Sequence, residues 1–378
     1  MGKSLTRATV LVVTMLLAFP VFAAKGGNKG KPGGGGDDGG ANCDTDALFP
    51  ALIYPEDSAD GNGTRDLVVA SSDGCVQITV ELGIQLGGAR LKYDETTGSG
   101  YYAWSENVFP GNPPGTIRRQ NFTVPEGSQT LKLASSYDLY KGVGYLSSFE
   151  LQGDLLAVVD DVVDEHFGEK TLLVLDLLAC NVSSPCNQND AVLVYKPSVD
   201  CLQDAGNGEC FRPESGIAMT LDGTAIYFDV QNQDPAGSRV YGIARVTRGT
   251  KGWLPQTPDL FLRDDNYYEA RVYGLSKDSQ YLAFGYLAGF QNRLRDDRVI
   301  ILDTEKTVPN SPYEADGLSQ NFSAWTATWT IKDTFYVLGT AGKGRKLRHP
   351  IEEFDPGKGT RRPLGISLND HPGIDSSL

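Results

Sequence analysis

The chain has 378 residues, 40 % of them hydrophobic and 22 % charged, which is enough apolar material for a buried core. Lys and Arg number 34 against 48 Asp and Glu, a net charge of −14. A surface that acidic repels phosphate backbones and excludes nucleic acid as a partner. Glycine is abundant (44) and methionine scarce (3), which favours many tight turns over long helices.

Positions 1–24 read as a signal peptide. Lys3 and Arg7 form a positive start, and the apolar run from Ala8 to Phe19 is too short for a comfortable bilayer span. Val21-Phe22-Ala23 then offers small residues for cleavage after Ala23 or Ala24. The expected location is therefore periplasmic or secreted, with no membrane span once the signal is removed. The segment 25–42 is half glycine and reads as a flexible linker. Without leader and linker the remaining chain is more acidic still, at −17.

Six cysteines follow: Cys43, Cys75, Cys180, Cys186, Cys201 and Cys210. An even number in an exported chain points to disulfides. Six cysteines allow 15 pairings, and local spacing suggests Cys180–Cys186 and Cys201–Cys210, leaving Cys43–Cys75. No C-x-x-C occurs and the histidines are only three, which disfavours zinc.

From Leu48 onward short β-type runs alternate with turn clusters. Leu151-Gln-Gly-Asp-Leu-Leu-Ala-Val-Val, Thr220-Leu-Asp-Gly-Thr-Ala-Ile-Tyr-Phe, Ser276-Lys-Asp-Ser-Gln-Tyr-Leu-Ala-Phe and Thr330-Ile-Lys-Asp-Thr-Phe-Tyr-Val-Leu share one form. Each is a strand end, a polar turn and an apolar strand. Their turn anchors Gly153, Asp222, Asp278 and Asp333 recur at near-regular intervals. The first interval is the longest, because it contains the insert that carries four of the cysteines. Each unit reads as four strands, A to D, and four-stranded units at this period are propeller blades. Six are placed, at roughly 47–83, 87–136, 143–197, 215–264, 268–318 and 322–368. The fold expected for 43–378 is thus an all-β, six-bladed β-propeller, with five or seven blades as alternatives. The first unit lacks an A strand, and the segment Leu364 to Asp375 reads as the linker that leads into it. That predicts a ring closed by the two ends of the chain.

The signature of Thr220 to Phe228 resembles the repeat of TolB-like, WD40-like β-propellers, in which an Asp-Gly turn precedes an apolar strand. The resemblance spans about 43–378 and implies an exported propeller. A full Asp-Gly occurs only at Asp222-Gly223, the preceding Ser-Pro is absent, and the N-terminal α/β domain of TolB has no counterpart. The Tol–Pal partnership is therefore not carried over.

The chemistry-bearing candidates lie in loops. Asp160, Asp161, Asp164, Glu165 and His166 follow one B strand. Asp229 and Asp234 follow the next, and Arg293 and Arg295 flank the equivalent place one blade on. In a propeller the B–C and D–A loops share one face, so these residues form the expected binding face. Carboxylate oxygens there would suit Ca²⁺, but no run has EF-hand spacing, and no other cofactor is indicated. Gly339-Thr-Ala-Gly-Lys-Gly-Arg-Lys reads as a B–C turn rather than a phosphate loop, and no G-x-S-x-G occurs. The aromatics Tyr101, Tyr102, Trp104, Tyr267, Tyr268, Trp325 and Trp329 could stack on sugars or fill the core between blades. The function expected is a binding module for a protein or polysaccharide ligand of the cell envelope. The alternative is a carbohydrate-active hydrolase or lyase that uses acidic residues at the central mouth.

Overall fold

The computed structural model describes residues 48–376 except 50, 59–63, 72–74, 85, 107–114, 126–127, 163–168, 181–182, 198–211, 234–238, 265–266, 289–295, 305–312, 315–321, 331–333, 342–348, 356–357, 359 and 369–374. Six sheets are formed. Blade 1 holds β1 (Ala51–Asp57), β2 (Arg65–Ser71) and β3 (Gln77–Ile84). Blade 2 holds β4 (Leu86–Asp94), β5 (Ser99–Glu106), β6 (Thr116–Thr123), β7 (Lys132–Leu133) and β8 (Tyr137–Lys141). Blade 3 holds β9 (Tyr145–Gln152), β10 (Leu155–Val162), β11 (Glu169–Asp176) and β13 (Val192–Tyr195), with β12 (Cys186–Asn187) between the last two. Blade 4 holds β14 (Arg212–Met219), β15 (Ala225–Gln233), β16 (Arg239–Thr247) and β17 (Asp259–Asp264). Blade 5 holds β18 (Tyr267–Leu275), β19 (Tyr281–Ala288), β20 (Asp296–Asp303) and β21 (Tyr313–Glu314). Blade 6 holds β22 (Phe322–Trp329), β23 (Phe335–Ala341), β24 (His349–Asp355) and β25 (Thr360–Leu368).

The last strand, β26 (Asp375–Ser376), returns to blade 1 and pairs with β1 through Leu52↔Ser376 and Ile53↔Asp375. It also touches β4 and β22, the innermost strands of the flanking blades. It is therefore the missing A strand, and the ring closes through both ends of the chain as the unit count predicts. The molecule is a six-bladed β-propeller.

Strand alternation explains why the ring holds. Successive side chains point to opposite faces, so each sheet has two apolar faces that only its neighbours can cover. On β10, Leu156 and Val158 join the cluster shared with blade 2, while Ala157 and Val159 join the one shared with blade 4. On β23, Phe335 and Val337 face blade 5, and Tyr336 and Leu338 face blade 1. The described residues form six apolar clusters, one at every junction.

The A–B turns repeat one hydrogen-bonding device. Thr224 and Thr220 each donate a hydroxyl to Asp222 at 2.7 Å, and Asp222 also accepts from the backbone of Thr224. Ser276 donates to Asp278 at 2.6 Å, and Gln280 adds a backbone donor. These donors hold both carboxyls below the usual range, the side-chain hydroxyls most strongly. Gly223 lies at φ 66° and Ser279 stands at the same turn position at φ 61°. Serine tolerates that left-handed conformation here while its Oγ accepts the Leu221 N–H of the neighbouring blade.

Blade 2 departs most from the simple unit. Its outer strand is split into β7 and β8, and β12, from the blade 3 segment, pairs parallel to β8. The Cys180–Cys186 disulfide ties down that strap, and the Cys186 side chain is fully buried. Cys75 is also disulfide-bonded. Cys43, Cys201 and Cys210 lie outside the described residues.

Candidate functional site

Two of the acidic residues expected on the binding face turn inward. Asp160, on β10, is 0 % exposed. Its Oδ2 accepts the Tyr140 hydroxyl at 2.8 Å and the Val143 N–H at 3.0 Å, and its Oδ1 accepts the Gly144 N–H at 3.1 Å. Burial, then the Asp160 charge, pushes the Tyr140 phenol well above its ordinary value, so it remains a donor. Asp229, on β15, is 1 % exposed and accepts the Gly216 N–H at 2.7 Å.

Both carboxyls are therefore buried, where the sequence places them among exposed loop charges. They hold backbone at the inner edge of the blades. Ser105 on β5 does the same in blade 2, its Oγ accepting the Gly88 N–H at 2.9 Å. Ser105 and Asp229 sit opposite bulges of their innermost strands, at Leu86/Ala89 and Pro213/Ile217. A bulge leaves a backbone N–H outside the ladder, and a buried side-chain oxygen satisfies it. The corresponding B-strand position in blade 5 is Gly285, where a Cβ would collide with the Tyr273 hydroxyl. Asp161 lies on β10 next to Asp160, and only its backbone placement is described. Asp164, Glu165, His166, Asp234, Arg293 and Arg295 fall outside the described residues.

Around Asp229 the charges of three blades gather. Lys170 on β11 donates to Glu214 Oε2 on β14 at 2.8 Å, and Arg212 lies 3.9 Å from Glu214 Oε1. Burial pushes the Asp229 carboxyl up to about 7. The Gly216 N–H and the charges of Arg271 and Lys170 oppose that rise, and Glu214 adds to it.

A cavity of about 390 Å³ opens at the opposite end of the ring, among the A–B turns. The innermost strands of blades 2 to 6 all line it, so it sits on the propeller axis. Its polar lining includes Lys92 on β4 and Glu150 and Gln152 on β9, with Asp94, Glu95 and Lys277 at the turns. Glu150 is held by Arg90 at 2.9 Å and Lys92 at 3.8 Å. Gln152 donates to the Leu221 carbonyl at 3.2 Å, which fixes its amide across the blade 3–4 junction. Tyr93 and Tyr273 supply aromatic surface, while Trp329, 3 % exposed, touches the wall from the core between blades 5 and 6. The Trp329 indole donates to the Gly274 carbonyl at 3.2 Å, and its ring lies 3.8 Å from that of Phe335.

Of the aromatics singled out in the sequence, Tyr102 and Trp104 are core between blades 1 and 2, and Trp329 is core between blades 5 and 6 with one edge on this cavity. Sequence reasoning missed Lys92, Glu150 and Gln152. Their signal was polar alternation late in an A strand, as in Arg90-Leu-Lys92 and Glu150-Leu-Gln152. Among the described residues no group of three His, Cys, Asp or Glu side chains could hold a metal ion. Among them no helix is long and apolar enough to cross a membrane.

No protein-family model matches the chain, and no curated protein matches it in sequence. Solved structures are similar to it in shape. A candidate 6-phosphogluconolactonase of Bacteroides fragilis is 10 % identical with a TM-score of 0.47, over 89 % of this chain and 100 % of that one. An oligogalacturonate lyase of Vibrio parahaemolyticus is 9 % identical with a TM-score of 0.44, over 85 % and 73 %. A puromycin-hydrolysing peptidase of Mycobacterium tuberculosis is 9 % identical with a TM-score of 0.47, over 86 % of this chain and 48 % of that one. At these values the likeness is one of shape, and the six-bladed assignment stands on the sheet order itself.

Proposed function

We propose that this chain is an exported, TolB-like β-propeller that holds a short saccharide of the cell envelope in the axial cavity at the A–B-turn end. The observation that carries the reading is the make-up of that cavity. Five innermost strands line it and bring the rings of Tyr93 and Tyr273 together with fixed polar groups (Lys92, Glu150, Gln152). Sugars present apolar C–H faces that stack on rings and a rim of hydroxyls that need oriented donors and acceptors. The test is calorimetric titration of the mature protein with saccharides prepared from its own envelope. Gln152→Ala removes one oriented amide and should weaken binding about tenfold. Unchanged affinity in that variant would place the ligand elsewhere.

A second reading is that the propeller cleaves a saccharide as a hydrolase or lyase, with Glu150, held by Arg90 and Lys92, as the acidic group at the axial mouth. Release of reducing ends or unsaturated products, abolished in Glu150→Gln, would establish cleavage.

A further inference from the structure

The axial cavity has a neighbour. A second cavity of about 580 Å³ lies on the same end of the ring, and Lys92, Tyr93, Asp94 and Gln152 line both. The two are therefore adjoining compartments of one groove that runs outward from the axis over blades 2 and 3. The outer compartment adds Tyr101 and Phe122, a second cation beside Lys92 in Arg119 on β6, and a second carboxylate beside Asp94 in Asp154.

Arg119 is set up as a receptor. Its guanidinium lies 3.8 Å from the Tyr101 ring centroid, and its Nε donates to Asn121 Oδ1 at 2.9 Å. Those two contacts fix the plane and the rotation of the fork while leaving its Nη edge uncommitted. Among the described residues no carboxylate stands within ion-pair distance of Arg119, whereas its neighbour Arg118 pairs with both Glu106 and Asp138. Asp94, on the groove wall, is turned to the backbone of Thr96 and the hydroxyl of Thr97. A planar, oriented guanidinium edge matches a carboxylate in two parallel hydrogen bonds. On a chain of net charge −14, an anion reaches such a place only through local charge of this kind.

We propose that the outer cavity is a second subsite in which Arg119 takes the carboxylate of an acidic sugar. The ligand is then a uronate-containing oligosaccharide that spans both compartments, not a single neutral sugar. This rests on the saccharide reading of the axial cavity and adds its length and charge.

The experiment compares two ladders, β-1,4-linked mannuronate and β-1,4-linked mannose oligomers of one to four units, which differ only in the carboxylate at C6. Calorimetry on the mature wild type should show affinity for mannuronate rising with length, with trimer about tenfold to a hundredfold tighter than the mannose trimer. Arg119→Gln should erase that preference and leave the affinity for mannose oligomers unchanged. Arg119→Lys, which keeps the charge without the fork, should retain only part of it. A mannuronate preference that survives Arg119→Gln, or a mannose ladder that rises equally, overturns the second subsite and leaves the axial reading standing. Absence of binding by every member of both ladders overturns the two together.

Discussion

Removing the Asp160 carboxylate should unfold the protein more readily while leaving ligand binding at the other end of the ring untouched. In Asp160→Ala the Tyr140 hydroxyl and the Val143 and Gly144 N–H groups lose their acceptor. Val143 is 47 % exposed, so water can reach its side of the turn, but Tyr140 is 0 % exposed and the Gly144 bond is buried. Two buried donors left unmet cost about 1–3 kcal/mol each, so the loss should be about 2–6 kcal/mol. Urea unfolding at pH 7 measures it as a shift in midpoint at constant slope. Tyr140→Phe removes the strongest donor, and the double-mutant cycle with Asp160→Ala should give a coupling of about 1–2 kcal/mol. A loss below about 0.5 kcal/mol, or a coupling of zero, would refute the structural role and return Asp160 to the surface as a ligand contact.

Two further outcomes follow from the same geometry. Asp229 titrates at about 7 when folded against an ordinary 3.8, so its contribution to stability is complete below the lower value and lost as pH rises through the upper. Asp229→Asn keeps an acceptor for Gly216 and cannot ionise. It should therefore gain up to about 4 kcal/mol over wild type at pH 8 and almost nothing at pH 4, and a gain that does not change with pH argues against the shift. Truncation after Leu368 removes β26 and opens the inner edge of β1. The melting temperature should fall and the protein should associate through the bare strand, and an unchanged melting curve would show that the closing pair contributes nothing.

Much of the fold was legible because its punctuation is local. The hydroxyl of Thr220 or Ser276 and the carboxylate two positions later build the A–B turn from neighbouring residues, so the repeat shows in the sequence. Cys180–Cys186 was legible for the same reason, its two cysteines lying close together in the chain. Blade 2 was harder to read. Its outer edge depends on β12 crossing from blade 3, a pairing between segments with no shared pattern. The D strand of the fifth unit, β21, is only two residues long and leaves little pattern to read.

The site was less legible, because burial is a property of the ring and not of the strand. Asp160 and Asp229 looked like loop charges, and their backbone donors lie outside their own strands, at Gly144 and Gly216. The axial cavity, in turn, is assembled from side chains of five blades. Alternation on the innermost strands links the two facts. On β4, Ala89 and Leu91 enter the blade 1–2 junction while Arg90 and Lys92 stay partly exposed. On β9, Phe149 and Leu151 enter the blade 2–3 junction while Glu150 and Gln152 line the cavity. One strand thus carries core and site on its two faces, at alternate positions. Changing Lys92, Glu150 or Gln152 alters what the axis can hold without emptying a junction, since none of the three belongs to the clusters that close the ring.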